Sequence, residues 1–229
     1  MMSANPAQPP GTAEYQRIEQ LVLPDTVAEL VEQAAQRFGQ RQALSFFEDG
    51  ISLSYAELAT RVRKLAHGLS LAGVRHGAHV AVLLSNRVEF PLTWLALARL
   101  GAVMVPVITS STAHELGFIL KDADVSFLIV EQQFAQVLND LPARPSREQV
   151  IVVGSSAGSD MRDFSDLMES GDAKFVPTHP PARNDLLNIQ YTSGTTGMPK
   201  GAMQSHRFWI VAGTVIPNMW RNEMRVVLS

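Results

Sequence analysis

The chain contains no cysteine. Disulfide staples, thiolate metal sites and a cysteine nucleophile are therefore excluded, and the composition suits the cytoplasm, which is the expected location. It also lacks a strong charge of one sign. Nineteen Lys and Arg against 22 Asp and Glu leave a formal net charge of −3. That offers no basic field for a polyanion, so no nucleic acid partner is expected. His67, His76, His79, His114, His179 and His206 show no metal-ligand spacing with one another or with carboxylates, so no metal site is assigned. The longest apolar stretch, "FPLTWLALARLGAVMVPVI" at 90–108, is interrupted by Arg99, Gly101 and Pro106. A charge in mid-span is costly in lipid, so no transmembrane segment is expected and a buried helix feeding a buried strand fits better. No repeat at a solenoid period is visible. The opening "MMSANPAQPPGTAEYQ" has no basic segment followed by an apolar one, and residues 1–16 read as a flexible leader rich in Pro and Ala.

What is there is core material: 46% of the residues are hydrophobic and 18% charged. "TVAELVEQAAQRFG" carries apolar residues at helical spacing, with Thr26 and Glu29 as a capping box and Gly39 as a stop. "ALSFFEDGISLSY" predicts two short strands around Asp49-Gly50. Ser54 and Glu57 form a second capping box, opening a helix that runs to about Gly73. Strand and helix then alternate. "HVAVLLS" precedes a helix from about Val88 to Leu100, and "AVMVPV" precedes one from Thr112 to Lys121. "VSFLIV" precedes a helix over "EQQFAQVLND", and "QVIVVG" is a fourth strand. Strands without a polar face, separated by helices, predict an α/β fold, a doubly wound, mainly parallel sheet with helices on both faces.

"GSSAGSD" at 154–160 reads as a loop, and "VPTHPPARND" as a connector. The expected division is a first α/β subdomain over 17–176. Residues 177–229 then hold the connector, a second loop and the start of a second α/β subdomain, since "MRVVLS" resembles the opening of a strand. "LLNIQYT" is a strand that runs straight into that second loop, "YTSGTTGMPKG".

Residues 192–197 are all Ser, Thr or Gly, and Lys200 closes the loop. Most Gly/Ser/Thr loops only turn the chain. Ten specified positions after a strand say more. Gly194 and Gly197 permit positive φ and close backbone approach, so that successive N–H groups can converge on oxygens. Thr192, Ser193, Thr195 and Thr196 add hydroxyl donors, and Lys200 adds a compact positive charge. A polyphosphate is the ligand such a loop suits. The expected order is strand, loop, lysine, helix, with "SHRFWIVAGTVIPNMW" helical until Pro217. The loop is no Walker A motif, because Met198 and Pro199 separate Gly197 from Lys200 and Gly201 replaces the metal-binding hydroxyl. The dinucleotide pattern G-x-G-x-x-G is absent as well.

"YTSGTTGMPKG" resembles the signature phosphate loop of the adenylate-forming superfamily, which includes acyl-CoA synthetases, luciferases and peptide-synthetase adenylation domains. "LSYAEL" at 53–58 and "LARLGAVMVPV" at 97–107 resemble two weaker family marks in the expected order. Thr196 and the run "GAMQSHR" look most like acyl-CoA ligases. The resemblance covers the chain from about Thr26 onward. It implies the N-terminal part of the large domain of such an enzyme, acting on a carboxylic acid with ATP, Mg²⁺ and coenzyme A. It also implies that Thr192, Ser193, Gly194, Thr195, Thr196, Gly197 and Lys200 contact the β- and γ-phosphates. Family segments for the Mg²⁺-binding Glu, the ribose-binding Asp and the C-terminal catalytic Lys have no counterpart here. Catalytic residues stay unassigned, and the isolated piece is expected to have little or no ligase activity. The alternative is a non-catalytic nucleotide-binding or interaction module that keeps the loop. Core exposed in a truncated chain would favour a homo-oligomer. His206 could face an acyl pocket, but a satisfied helix histidine is the preferred reading. Phe90, Trp94 and Leu97, at helical spacing, read as core.

Overall fold

A computed structural model describes residues 21–141, 143, 145–154, 161–192 and 199–219. The first helix, α1 (Val27–Phe38), starts where Thr26 Oγ1 accepts the Glu29 N–H at 3.1 Å. The Glu29 carboxylate reaches past Thr26 to the Asp25 N–H at 2.8 Å, so half of the expected box is made one residue early. Strands β1 (Gln42–Phe46) and β2 (Ile51–Ser54) form a separate two-stranded antiparallel hairpin, its turn ending at Gly50 with φ 63°. Helix α2 (Tyr55–Ala72) opens on the full Ser54–Glu57 capping box and stops at Gly73 in the left-handed region. Both ends match the expectation from the sequence.

Next come β3 (His79–Leu83), α3 (Glu89–Leu100), β4 (Val103–Pro106), α4 (Ala113–Asp122), β5 (Phe127–Glu131) and β6 (Val150–Val153). A short β7 (Arg162–Asp163), α5 (Phe164–Glu169), β8 (Leu186–Thr192), β9 (Lys200–Ser205) and α6 (His206–Met219) complete the order. The seven-stranded sheet runs β7-β6-β5-β3-β4-β8-β9, with every neighbouring pair parallel except β8–β9. The fold is doubly wound, as expected. Val80, Val82, Met104, Ile129 and Ile151 point to α1, α2, α3 and α5, whereas Ala81, Leu83, Val105, Leu128 and Val130 face α4 and its neighbours. Alternate side chains of apolar strands thus build two cores, one on each side of the sheet.

Along α2 the spacing of Leu58, Val62, Leu65 and Leu69 puts a buried stripe against the sheet, and Gly68 lets α5 dock backbone to backbone. A Cβ there would lie 2.1 Å from the Leu167 carbonyl oxygen. Arg99, which argued against a membrane span, instead joins three helices: it meets Glu32 of α1 at 2.7 Å, and Glu32 also holds Arg63 of α2 at 2.8 Å. Among the described residues no helix is long and apolar enough to cross a membrane.

Three expectations need correction. Gln132–Asp140 is a 3₁₀ helix, not an α-helix. Its N-cap position is Glu131, whose carboxylate is drawn across the sheet to Ser85 and leaves the helix start without a side-chain cap. The lysine after the phosphate loop does not open a helix. Lys200 starts β9, an antiparallel edge strand that uses the free side of β8, and α6 begins only at His206. Helix α6 then continues through Pro217, with its described residues reaching Met219. β7 and α5 carried no expectation; Asp163 caps α5 by accepting the Ser165 N–H at 2.8 Å. The division expected after residue 176 precedes β8 and β9, which continue the same sheet as β3–β7. The 154–160 loop beyond Gly154 and the strand expected near 224–229 lie outside the described residues.

Candidate functional site

In open α/β sheets ligands settle outside the carboxyl ends of the strands, where the strand order reverses. Here that point lies between β3 and β5, and side chains fill it. Glu131 Oε2 accepts both the Ser85 N–H at 2.9 Å and the Ser85 hydroxyl at 2.6 Å, and Arg87 lies 3.3 Å from Oε1. Arg87 also pairs with Glu89 at 2.7 Å. Burial works against ionising Glu131, but the two Ser85 bonds, the Gln133 amide and Arg87 outweigh it and hold the carboxyl below its usual range. A satisfied ionic cluster occupies that crevice.

The site residues expected from the sequence begin two strands over, at the end of β8. Period-two alternation sets the two faces of "LLNIQYT". Ile189 and Tyr191 face α4, while Asn188 and Gln190 face α3 and α6. Asn188, almost fully buried, joins three elements: its Nδ2 donates to Gln204 Oε1 at 2.7 Å, and its Oδ1 accepts the Trp209 indole N–H at 2.5 Å. Trp209 stands edge-on to Trp94, with centroids 5.2 Å apart. Phe90, Trp94, Met104, Pro106, Gln190 and Trp209 frame a mostly apolar cavity of about 230 Å³ beside β8. Leu97 is core, as expected, but Phe90 and Trp94 are only partly buried and line this cavity. On the other face the Tyr191 hydroxyl donates to Asp122 Oδ2 at 2.6 Å. Burial, reinforced by that carboxylate, pushes the phenol's pKa up, so it remains a donor.

Thr192 and Lys200, both exposed, are direct cross-strand partners at the mouth of the hairpin. Ser193, Gly194, Thr195, Thr196 and Gly197 lie outside the described residues. The hairpin thus brings two of the seven expected site residues opposite each other at the carboxyl edge of the sheet. His206 is fully buried and away from the cavity, its Nδ1 accepting the Val27 N–H at 3.2 Å. Its Nε2 is buried without a partner, so the preferred reading of a satisfied histidine holds for only one ring nitrogen. Burial pushes its pKa down to about 4; Asp185 opposes and His76 reinforces that shift. Among the described residues no group of three His, Asp or Glu could hold a metal ion. Asn188, Gln190, Tyr191 and Asp122 had no place in the sequence reading. The alternation of polar and apolar residues in "NIQY" was the signal for the first three; nothing local pointed to Asp122.

A family model described as AMP-binding enzyme matches residues 31–229. A 3-oxocholest-4-en-26-oate–CoA ligase of Rhodococcus rhodochrous is 33% identical over 192 residues, covering 82% of this chain and 34% of that protein. A long-chain-fatty-acid-CoA ligase from Archaeoglobus fulgidus superposes with a TM-score of 0.70 at 32% identity, covering 81% of this chain and 38% of that one. The anthranilate CoA ligase AuaEII, solved with anthranoyl-AMP, shares the fold with a TM-score of 0.73 at 24% identity, covering 83% of this chain and 36% of that one. The chain spans little more than a third of the length of such relatives.

Proposed function

The chain belongs to the AMP-binding enzyme family, and from that premise we propose that it is the N-terminal region of an ATP-dependent carboxylic acid–CoA ligase. A carboxylate oxygen of the acid attacks the α-phosphorus of ATP, and the bond from that phosphorus to the β-bridging oxygen breaks, releasing pyrophosphate. The thiol of coenzyme A then attacks the acyl carbon, its proton is lost, and AMP leaves. As the first step proceeds, negative charge gathers on the departing β- and γ-phosphates, where fixed donors help most. Residues 192–197 and Lys200 are the groups assigned to those oxygens. Bound Mg²⁺ would offset phosphate charge; among the described residues no group of three His, Asp or Glu could hold it. The cavity framed by Trp94 and Trp209 supports an acid with an apolar body.

The observation that carries the reading is the β8–β9 hairpin, which sets Thr192 against Lys200 across a run of Ser, Thr and Gly. The ribose, metal and thioester steps need segments of the relatives that this chain does not span, so the isolated chain is expected to exchange little or no pyrophosphate. Acid-dependent pyrophosphate exchange, run with a panel of carboxylic acids on the 229-residue chain and on its full-length protein, tests this. Exchange by the full-length protein alone supports the proposal. Robust exchange by the short chain overturns its inactivity, and ATP binding without any exchange by the full-length protein favours a nucleotide-binding module.

A further inference from the structure

The hairpin that carries Thr192 and Lys200 is buried at its base, through Leu187, Asn188 and Ile189, and lightly held at its loop end. Among the described residues β9 is an edge strand with β8 as its only strand neighbour, and its first four residues are exposed. β8 in turn meets β4 through a single registered pair, Met104–Asn188. Where Lys200 sits therefore depends on what fixes the loop end of β8.

Three features converge there. The Tyr191 hydroxyl reaches 2.6 Å to Asp122, the last residue of α4, 69 positions away in the chain. Phe118 of α4 meets the Tyr191 ring edge-on at 6.4 Å and 86°. Directly across the hairpin from Tyr191 stands Gly201. A Cβ at 201 would lie 2.8 Å from Ile189 Cγ2 and 3.2 Å from the Tyr191 ring. Any larger residue at 201 would press on Ile189 and on the Tyr191 ring, so glycine leaves the ring room beside β9. α4 is a firm anchor: it opens on a complete Thr112–Glu115 capping box and buries Leu116 and Ile119.

We infer that Tyr191, Asp122 and Gly201 form a positioning lock that fixes the mouth of the hairpin against α4, and so sets the height of Thr192 and Lys200 relative to a triphosphate. Tyr191 and Asp122 touch no phosphate themselves; they act through the two strand ends beside them. The inference rests on the proposed phosphate role of the loop, but the lock can be tested without it.

The test uses hydrogen exchange and triphosphate titration on the same proteins. Tyr191→Phe and Asp122→Ala should each speed amide exchange at 189–192 and 200–203, with the urea midpoint nearly unchanged. The double variant should be no worse than either single one, because one bond joins the pair. Asp122→Asn keeps an acceptor oxygen and should stay near wild type. Affinity for Mg·ATP, or for inorganic tripolyphosphate, should fall about threefold to tenfold in the two single variants. Unchanged exchange in Tyr191→Phe overturns the lock. Faster exchange with wild-type triphosphate affinity overturns its positioning role. Should the wild-type chain bind neither probe while exchange still responds as described, the phosphate reading fails and the lock stands.

Discussion

The helix-covered part of the sheet and the β8–β9 hairpin are held by different forces. Around β3 to β6, Val80, Ala81, Val82, Leu128, Ile129, Val130, Ile151 and Val152 are completely buried, and the helices cover both faces. Stability there comes from apolar area removed from water, about 25 cal/mol per Å², shared among many side chains. The hairpin has an exposed outer strand, with Met203 72% accessible. Its base is buried through Leu187 and Ile189, an Asn188–Gln204 bond joins its two strands, and polar links from Asn188 to Trp209 and from Tyr191 to Asp122 tie it to its surroundings. A densely packed region tolerates loss of a polar group and suffers from loss of volume; the hairpin should behave the other way round. If the proposed phosphate role of Thr192 and Lys200 holds, they sit on the lightly held end of the hairpin and not on the packed core.

The contrast can be broken most forcefully in the core. Leu65 is fully buried in α2, and Leu65→Ala should destabilise the fold by about 3–4 kcal/mol, read from urea unfolding, through lost transfer energy and a residual cavity. A smaller effect would mean that the helix layer can collapse around the gap. pH supplies the next lever. His206 is buried neutral, with its pKa near 4, while the unfolded chain titrates near the ordinary 6.5. Between these values the unfolded state binds more protons, so stability must fall as pH drops from 6.5 toward 4, by about 3 kcal/mol in all. In His206→Phe the slope of stability against pH across that window should flatten; an unaltered slope would assign the loss to other groups. At the hairpin, Trp209→Phe keeps most of the ring but removes the donor to Asn188 Oδ1. Leaving that buried oxygen unpaired should cost about 1–2 kcal/mol.

How much of this was legible in the sequence follows the same division. Continuous apolar runs located β3, β4, β5 and β6, and Ser54 with Glu57 located the start of α2, because those signals are local and large. Strand order was not legible: β5 lies on the far side of β3 from β4, a choice made by packing between distant segments. β9 was missed because "KGAMQS" has no buried face; it is a strand because β8 lends it a hydrogen-bonding edge. The 3₁₀ helix after β5 was misread because apolar spacing in "EQQFAQVLND" does not separate a 3₁₀ from an α-helix; Glu131 at its start bonds to Ser85, 46 positions earlier. At the site, the Ser, Thr and Gly run after a strand, closed by Lys200, is the signal on which the proposed phosphate loop rests. Tyr191 and Asp122, on separate elements, could be joined only once the fold had brought them together.

The loop assignment itself comes down to one lysine. Mg·ATP titrated into the wild-type chain and into Lys200→Ala, by calorimetry, measures its share directly. Lys200 is exposed at the hairpin mouth, so its removal should leave the unfolding midpoint alone. Loss of one charge-assisted hydrogen bond, about 1.5–3 kcal/mol, should weaken triphosphate affinity by about tenfold or more. Equal affinities for the two proteins would contradict the account, since the hairpin would then present its lysine to something other than a phosphate chain.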